Sequence, residues 1–159
     1  MGSAYQLPYV SKEIYAQKLV DIEGRLFVRK DHPIKQSTVK PEDLAGYEIA
    51  SLISPGWNDN FSQASKVLDA YSIPHRVGFR SEMVLAIIDV LLNSDMYMPH
   101  SNLFPIQNYP NLRVIDVDLE EEEKTISVYN HIHIKNRNNP LHNWLDSVVK
   151  KALKEQLNK

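Results

Sequence analysis

Two places in this chain carry side chains whose types and spacing suit the binding of a small molecule. One is Ser54-Pro55-Gly56-Trp57-Asn58-Asp59-Asn60-Phe61, where two aromatic rings stand among amides and a hydroxyl. An apolar surface with a few orienting polar groups is the composition of a ligand pocket. The alternative is structural: Trp57 packs on the surface of its own lobe, and Asn58 or Asp59 only caps a helix. The other place is Ser81-Glu82, at the mouth of an apolar segment that runs through Val84 to Leu91. Free backbone N–H groups at a helix start suit an anion. Ser81 is expected there as the N-cap and Glu82 as a first-turn acid favoured by the helix dipole. Glu82 would repel a carboxylate ligand.

A third arrangement is metal-like. His131 and His133 stand two apart on an expected strand and so share a face. A zinc site needs three or four ligands, and His142 and the acidic run Glu120-Glu121-Glu122-Glu123 are the nearby candidates in sequence. Two histidines on a strand are more often structural, and the acidic run reads as a solvated turn. Serines are plentiful, but no Gly-x-Ser-x-Gly elbow occurs, and cysteine is absent. With five glycines and no Gly-rich phosphate loop, nucleotide chemistry is not expected. No enzyme, cofactor or metal is therefore expected; a metal-dependent or hydrolytic enzyme using His131 and His133 is the rival reading.

Composition narrows the class further. A chain of 159 residues, 43% hydrophobic and 24% charged, is long enough for one domain or two small lobes with a real core. A net charge of −2 argues against a nucleic-acid surface as its main business. No apolar run approaches a membrane span, and the start lacks a signal-peptide pattern. The expectation is a cytoplasmic protein without membrane contact.

The elements that must position these residues follow from periodicity. Residues 5–23 mix aromatics, Pro8 and charges without a clean period and read as extended or irregular. Strands are expected at Arg25–Arg29, closed by Asp31-His32-Pro33, and at Tyr47–Ile53, His75–Phe79, Asp95–Met98, Leu112–Val117 and Thr125–Ile134. Pro41 to Gly46 reads as one helical turn. Helical spacing links Phe61, Ala64, Leu68 and Tyr71, then Val84, Ile87, Ile88 and Leu91. Pro140 opens a last helix in which Leu141, Trp144, Leu145, Val148 and Ala152 form one apolar stripe that needs a partner. Strands alternating with helices imply an α/β fold with a mixed, mostly parallel sheet. Ligands in such sheets sit beyond the carboxyl ends of the strands, which singles out the loops at 54–60 and 80–82.

Read in order, several segments resemble the effector-binding domain of LysR-type transcriptional regulators. They are Leu26-Phe27-Val28-Arg29-Lys30-Asp31-His32-Pro33, Lys40-Pro41-Glu42-Asp43-Leu44-Ala45, the passage from Val77 to Pro99, and Asn139-Pro140-Leu141-His142-Asn143-Trp144-Leu145. The ending and Ser94-Asp95 are similar to the branch containing nodulation and leucine-operon regulators. The resemblance covers about Tyr5 to Gln156. It implies a periplasmic-binding-protein-like (type 2) fold: residues 1–29 as the end of lobe I and a crossing strand, 30–128 as a Rossmann-like lobe II, and 129–159 as the return strand and last helix of lobe I. It implies a bacterial transcription regulator that binds a small-molecule effector between lobes, forms a homo-oligomer, usually a dimer, and is not an enzyme. DNA would be bound only through a helix-turn-helix domain that has no counterpart in this chain, as has the first part of lobe I. It places Ser81 and Glu82 in the effector pocket, beside the composition-based candidates Ser54, Trp57, Asn58, Asn60 and Phe61, and puts Pro99, Ser127 and Tyr129 near the lobe junction. A ligand-free dimerisation module is the further alternative.

Overall fold

The computed structural model describes residues 2–5, 11–54 and 63–158. In chain order the strands are β1 (Gly2–Tyr5), β2 (Ile14–Arg29), β3 (Thr38–Val39), β4 (Ile49–Leu52), β5 (Val77–Ser81), β6 (Met98–Ser101), β7 (Leu112–Val117) and β8 (Thr125–His133). The α-helices are α1 (Gln63–Ala70), α2 (Val84–Leu92), the single turn α3 (Glu121–Lys124) and α4 (Pro140–Leu157). The chain divides into two compact units, Gly24–Lys124 and Met1–Glu23 with Thr125–Lys159.

In the first of these, Gly24–Lys124, β4 and β5 pair in parallel, and Tyr97, just ahead of β6, runs parallel to Ile49 of β4. β3 and β7 are also parallel, whereas the last part of β2 pairs antiparallel with β6 and β7. The sheet is therefore mixed. One apolar cluster joins Leu26, Val28, Val39, Ile49, Leu68, Tyr97 and Ile115; a second joins Phe27, Ala50, Ile87, Leu91, Met98 and Phe104. Phe27 and Val28 go to different clusters because neighbouring strand residues point to opposite faces. That is why the sequence around them is an unbroken apolar run. Pro41–Leu44 forms a 3-10 turn in which the Asp43 carboxylate accepts the Lys40 N–H at 2.9 Å.

In the other unit, the first part of β2 pairs antiparallel with β8, and β8 with β1. Leu19, Ile22, Val128 and Ile132 are buried, as are Asn130 and Asp146. Asn139 caps α4, its side chain accepting the Leu141 N–H at 2.9 Å, and Pro140 follows at the first helical position.

Three expectations are corrected. Residues 14–23 are strand, so β2 spans 16 residues where only Arg25–Arg29 reads as one. Its alternation is blurred by a register shift between Lys18 and Val20 and by ion-paired residues such as Lys18 and Asp21. The strand expected at Asp95–Met98 lies at Met98–Ser101. The N-cap of α2 is Met83, with Ser81 still in β5, because the parallel ladder to Leu52 holds Ser81 extended. The stripe Leu141, Trp144, Leu145 and Val148, expected to need a partner, faces solvent. The helix turns Asp146 inward to Asn130 of β8 at 3.3 Å, with Lys150 on the same carboxylate at 2.8 Å.

Candidate functional site

At the carboxyl ends of β4 and β5 the parallel ladder carries Leu52 alongside Ser81, and the Ile53 N–H donates to the Ser81 carbonyl at 2.8 Å. Ser54 and Ser81 are thereby brought to one edge of the sheet. The Ser81 hydroxyl accepts the Met83 N–H at 3.0 Å, which ties down the chain as it enters α2. Glu82 is exposed beside it. Trp57, Asn58, Asn60 and Phe61 lie outside the described residues, so the aromatic part of the expected pocket has no geometry here.

Pro99 stands in β6, opposite Leu26 of β2 in the same unit. Ser127 and Tyr129 belong to the other unit, on one face of β8, opposite Asp21 and Lys18. The Ser127 hydroxyl donates to the Asp21 carboxylate at 2.6 Å, and Lys18 pairs with the same carboxyl group at 2.7 Å. The Lys18 ammonium, and after it the Ser127 hydroxyl, holds the Asp21 carboxyl below its ordinary range. Ser127 is thus committed to an internal partner.

The histidine pair does not assemble a metal centre. His133 accepts the Lys135 N–H at Nδ1, and its Nε2 lies 3.5 Å from Glu13. Among the described residues, no group of three or more His, Asp or Glu side chains is placed to hold a metal ion.

The sequence reading missed a concave feature at the opposite, amino-terminal end of β4. An open cleft of about 270 Å³ is lined by Gly46, Tyr47, Glu48, Ser94, Asp95 and Met96. His32 anchors it from beneath. Fully buried, it meets the Asp95 carbonyl through Nε2 at 3.0 Å and accepts the Ile34 N–H at Nδ1 at 3.2 Å. Since Nδ1 must accept, Nε2 carries the proton and donates. Burial depresses the His32 pKa from its ordinary value. Arg29 ties the same segment, donating to the Ser94 carbonyl at 3.1 Å and the Asp95 carboxylate at 2.7 Å, and it also pairs with Asp31. Arg76 pairs with Glu48 on the other wall. The signal in the sequence is His32-Pro33 following a strand, which reads only as a terminator until Asp95 is seen beside it.

No protein-family model matches the chain, and no curated protein matches it. Solved structures do. The regulatory domain of MetR, a LysR family regulator from N. meningitidis, is 18% identical over 94% of this chain and 70% of its own, with a TM-score of 0.70. A probable transcriptional regulator from Pseudomonas aeruginosa is 16% identical over 91% of this chain and 47% of its own, with a TM-score of 0.69. An OxyR variant from Corynebacterium glutamicum, in its hydrogen-peroxide-bound form, is 11% identical over 98% of this chain and 49% of its own, with a TM-score of 0.77. None of the three is described as an enzyme. The likeness establishes the fold, that of LysR-type regulatory domains, a periplasmic-binding-protein-like type 2 architecture. The chain spans about half the length of two of these structures.

Proposed function

We propose that this chain is the ligand-sensing, regulatory part of a LysR-type transcriptional regulator that acts in the cytoplasm and is not an enzyme. The observation that carries the reading is the match of nearly the whole chain to regulatory domains of that fold. Gly24–Lys124 takes the place of the second lobe, and the remaining residues that of the closing elements of the first. The effector is a small molecule held at the carboxyl ends of β4 and β5, by Ser54, Ser81 and the Trp57–Phe61 segment. Parallel strands leave unpaired N–H groups and helix starts at that end, which is why sheets of this kind bind ligands there. The effector acts by binding one arrangement of the regulator more tightly than the other. DNA contact belongs to a helix-turn-helix domain outside this sequence, in keeping with the chain's slightly negative charge.

The test is thermal unfolding against a panel of small organic acids, aromatics and amino acids. A compound at about 100 times its dissociation constant adds roughly 2.7 kcal/mol of stability. The shift is expected to vanish in Trp57→Ala and to shrink in Ser81→Ala. A compound that stabilises all three proteins equally would remove the site from the carboxyl ends of β4 and β5. A panel in which nothing moves the transition would count against effector sensing.

A further inference from the structure

The cleft lined by Tyr47, Glu48, Asp95 and Met96 lies at the end of β4 remote from Ser54 and Ser81, and its surroundings hold two carboxylates in place. Glu48 is fixed first through its backbone. Its carbonyl accepts the Tyr97 N–H at 3.1 Å, and the next N–H, of Ile49, donates to the Arg76 carbonyl at 2.9 Å. Its side chain lies across Gly78 of β5, where a Cβ would collide with the Glu48 carboxylate and stand 2.7 Å from Met96 Cε. Glycine at 78 thus makes room for the acid. On the other wall, the buried His32 holds the Asp95 carbonyl, and Arg29 holds both the Asp95 carboxylate and the Ser94 carbonyl. Arg29 meets Asp95 at Oδ1 and Arg76 meets Glu48 at Oε1, so each carboxylate keeps a second oxygen clear of its arginine.

We propose that this cleft binds a small organic cation, an alkyl amine or alkyl guanidine, at a site separate from the effector edge. The two arginines are not equivalent. Arg29 serves Ser94, Asp95 and Asp31 together and its side chain is 22% exposed, so it is part of the wall. The Arg76 side chain is 78% exposed and rests on Glu48. An exposed ion pair of that kind is weak and readily exchanged. Arg76 therefore displays the chemistry that the cleft accepts: a guanidinium already meets the Glu48 carboxylate, and a free cation can take its place. The remaining lining suits the body of such a ligand. Tyr47, its ring braced by the His32 ring at 4.9 Å, offers aromatic surface to a cation, and Met96 offers a thioether to an alkyl chain. The Ser94 hydroxyl is engaged, donating to the Val90 carbonyl at 2.7 Å and accepting the Met96 N–H at 3.2 Å. A carboxylate or phosphate would meet two fixed negative charges and is disfavoured. At about 270 Å³ the cleft is smaller than the roughly 300–1,000 Å³ of drug-sized pockets, which limits the occupant to a compact molecule. The inference does not depend on effector sensing.

Titration of the full chain with agmatine and with n-butylamine, followed by amide chemical shifts, is expected to give saturable changes at Tyr47, Glu48, Asp95 and Met96. Added salt is expected to weaken them. n-Butanol, which has the alkyl chain without the charge, is expected to leave those signals in place. Glu48→Gln is expected to weaken amine binding about tenfold or more, as loss of a charged hydrogen bond does. Arg76→Ala removes the competing guanidinium and is expected to tighten binding about threefold, the worth of an exposed ion pair. A merely structural Arg76 would not produce that gain. If Glu48→Gln lowers the melting temperature, Arg76→Ala decides alone: tighter binding supports the site, and unchanged or weaker binding overturns it. Absence of saturable shifts in both the parent and Arg76→Ala would overturn the proposal. So would equal binding by a stably folded Glu48→Gln, or n-butanol binding as well as the amines. Shifts that gather at Ser81 and vanish in Trp57→Ala would overturn it too, while leaving the effector reading intact.

Discussion

His32 and Tyr97 are both fully or almost fully buried polar side chains, and they differ in how their polar atoms are met. Both nitrogens of His32 have partners, and the neutral ring is the form those partners require. Its ordinary pKa is 6.5 and burial lowers it in the fold. The unfolded chain therefore takes up the proton first as pH falls, and His32 contributes stability that is present above about pH 6.5 and lost below it. His100, lowered by burial as well, acts in the same direction. Urea unfolding at neutral pH and at about pH 5 is expected to show this loss, and His32→Gln should remove part of it. An identical pH dependence in that variant would sink the assignment. The Tyr97 hydroxyl, in contrast, is buried without a hydrogen-bond partner among the described residues, and burial drives its pKa upward. Tyr97→Phe deletes an unpaired group from a packed site, so stability should hold or rise by up to about 1 kcal/mol. A fall in melting temperature would reveal a partner for that hydroxyl.

At the scale of elements, α2 and α4 make opposite uses of the same kind of sequence pattern. α2 buries Ile87, Ile88 and Leu91 against the cluster around Phe27 and Met98, while Leu85 on its other side is 69% exposed. Ile87→Ala should therefore cost about 2–5 kcal/mol. Leu85→Ala should stay within about 0.5 kcal/mol of the parent protein. Chemical denaturation of both variants decides it: comparable losses would mean that the outer face of α2 is also covered. For α2 the apolar spacing in sequence named the buried face correctly, because most of that helix is apolar and any docking buries apolar groups. For α4 the spacing marks only a stripe in need of a partner, and the opposite face turns inward because two polar residues on it, Asp146 and Lys150, found Asn130 and each other. Its two partners offset part of the cost of taking the Asp146 carboxylate out of water.

On the scale of the whole molecule, apolar burial is unevenly shared. Both large apolar clusters lie within Gly24–Lys124. The other unit buries Leu19, Ile22, Val128 and Ile132 together with the polar Asn130 and Asp146, and the Asn130 side-chain oxygen has no partner among the described residues. Local opening follows the density of buried apolar contact. Amide hydrogen exchange is expected to be slower in β7 and α2 than in β8 and α4. Equal protection across all four would show that the two units open together.

The sequence alone determined the features that depend on a few adjacent residues. Asn139-Pro140 starts α4, apolar spacing marks α2, and a short run rich in β-branched residues marks β7 at Leu112–Val117. The ordered segments that resemble the LysR regulatory domain also pointed to the fold that the structure shows. Only the tertiary structure decided which backbone extends, which face turns inward and which polar groups meet. β2 is a long strand because β8, more than a hundred residues away, supplies its hydrogen bonds. Ser127 is occupied because Asp21 lies across from it, and His32 supports a cleft because Asp95 does. The physical reason is range. Caps, turns and periodicity act over a few residues, whereas a buried hydrogen bond is chosen by whatever chain the fold brings alongside.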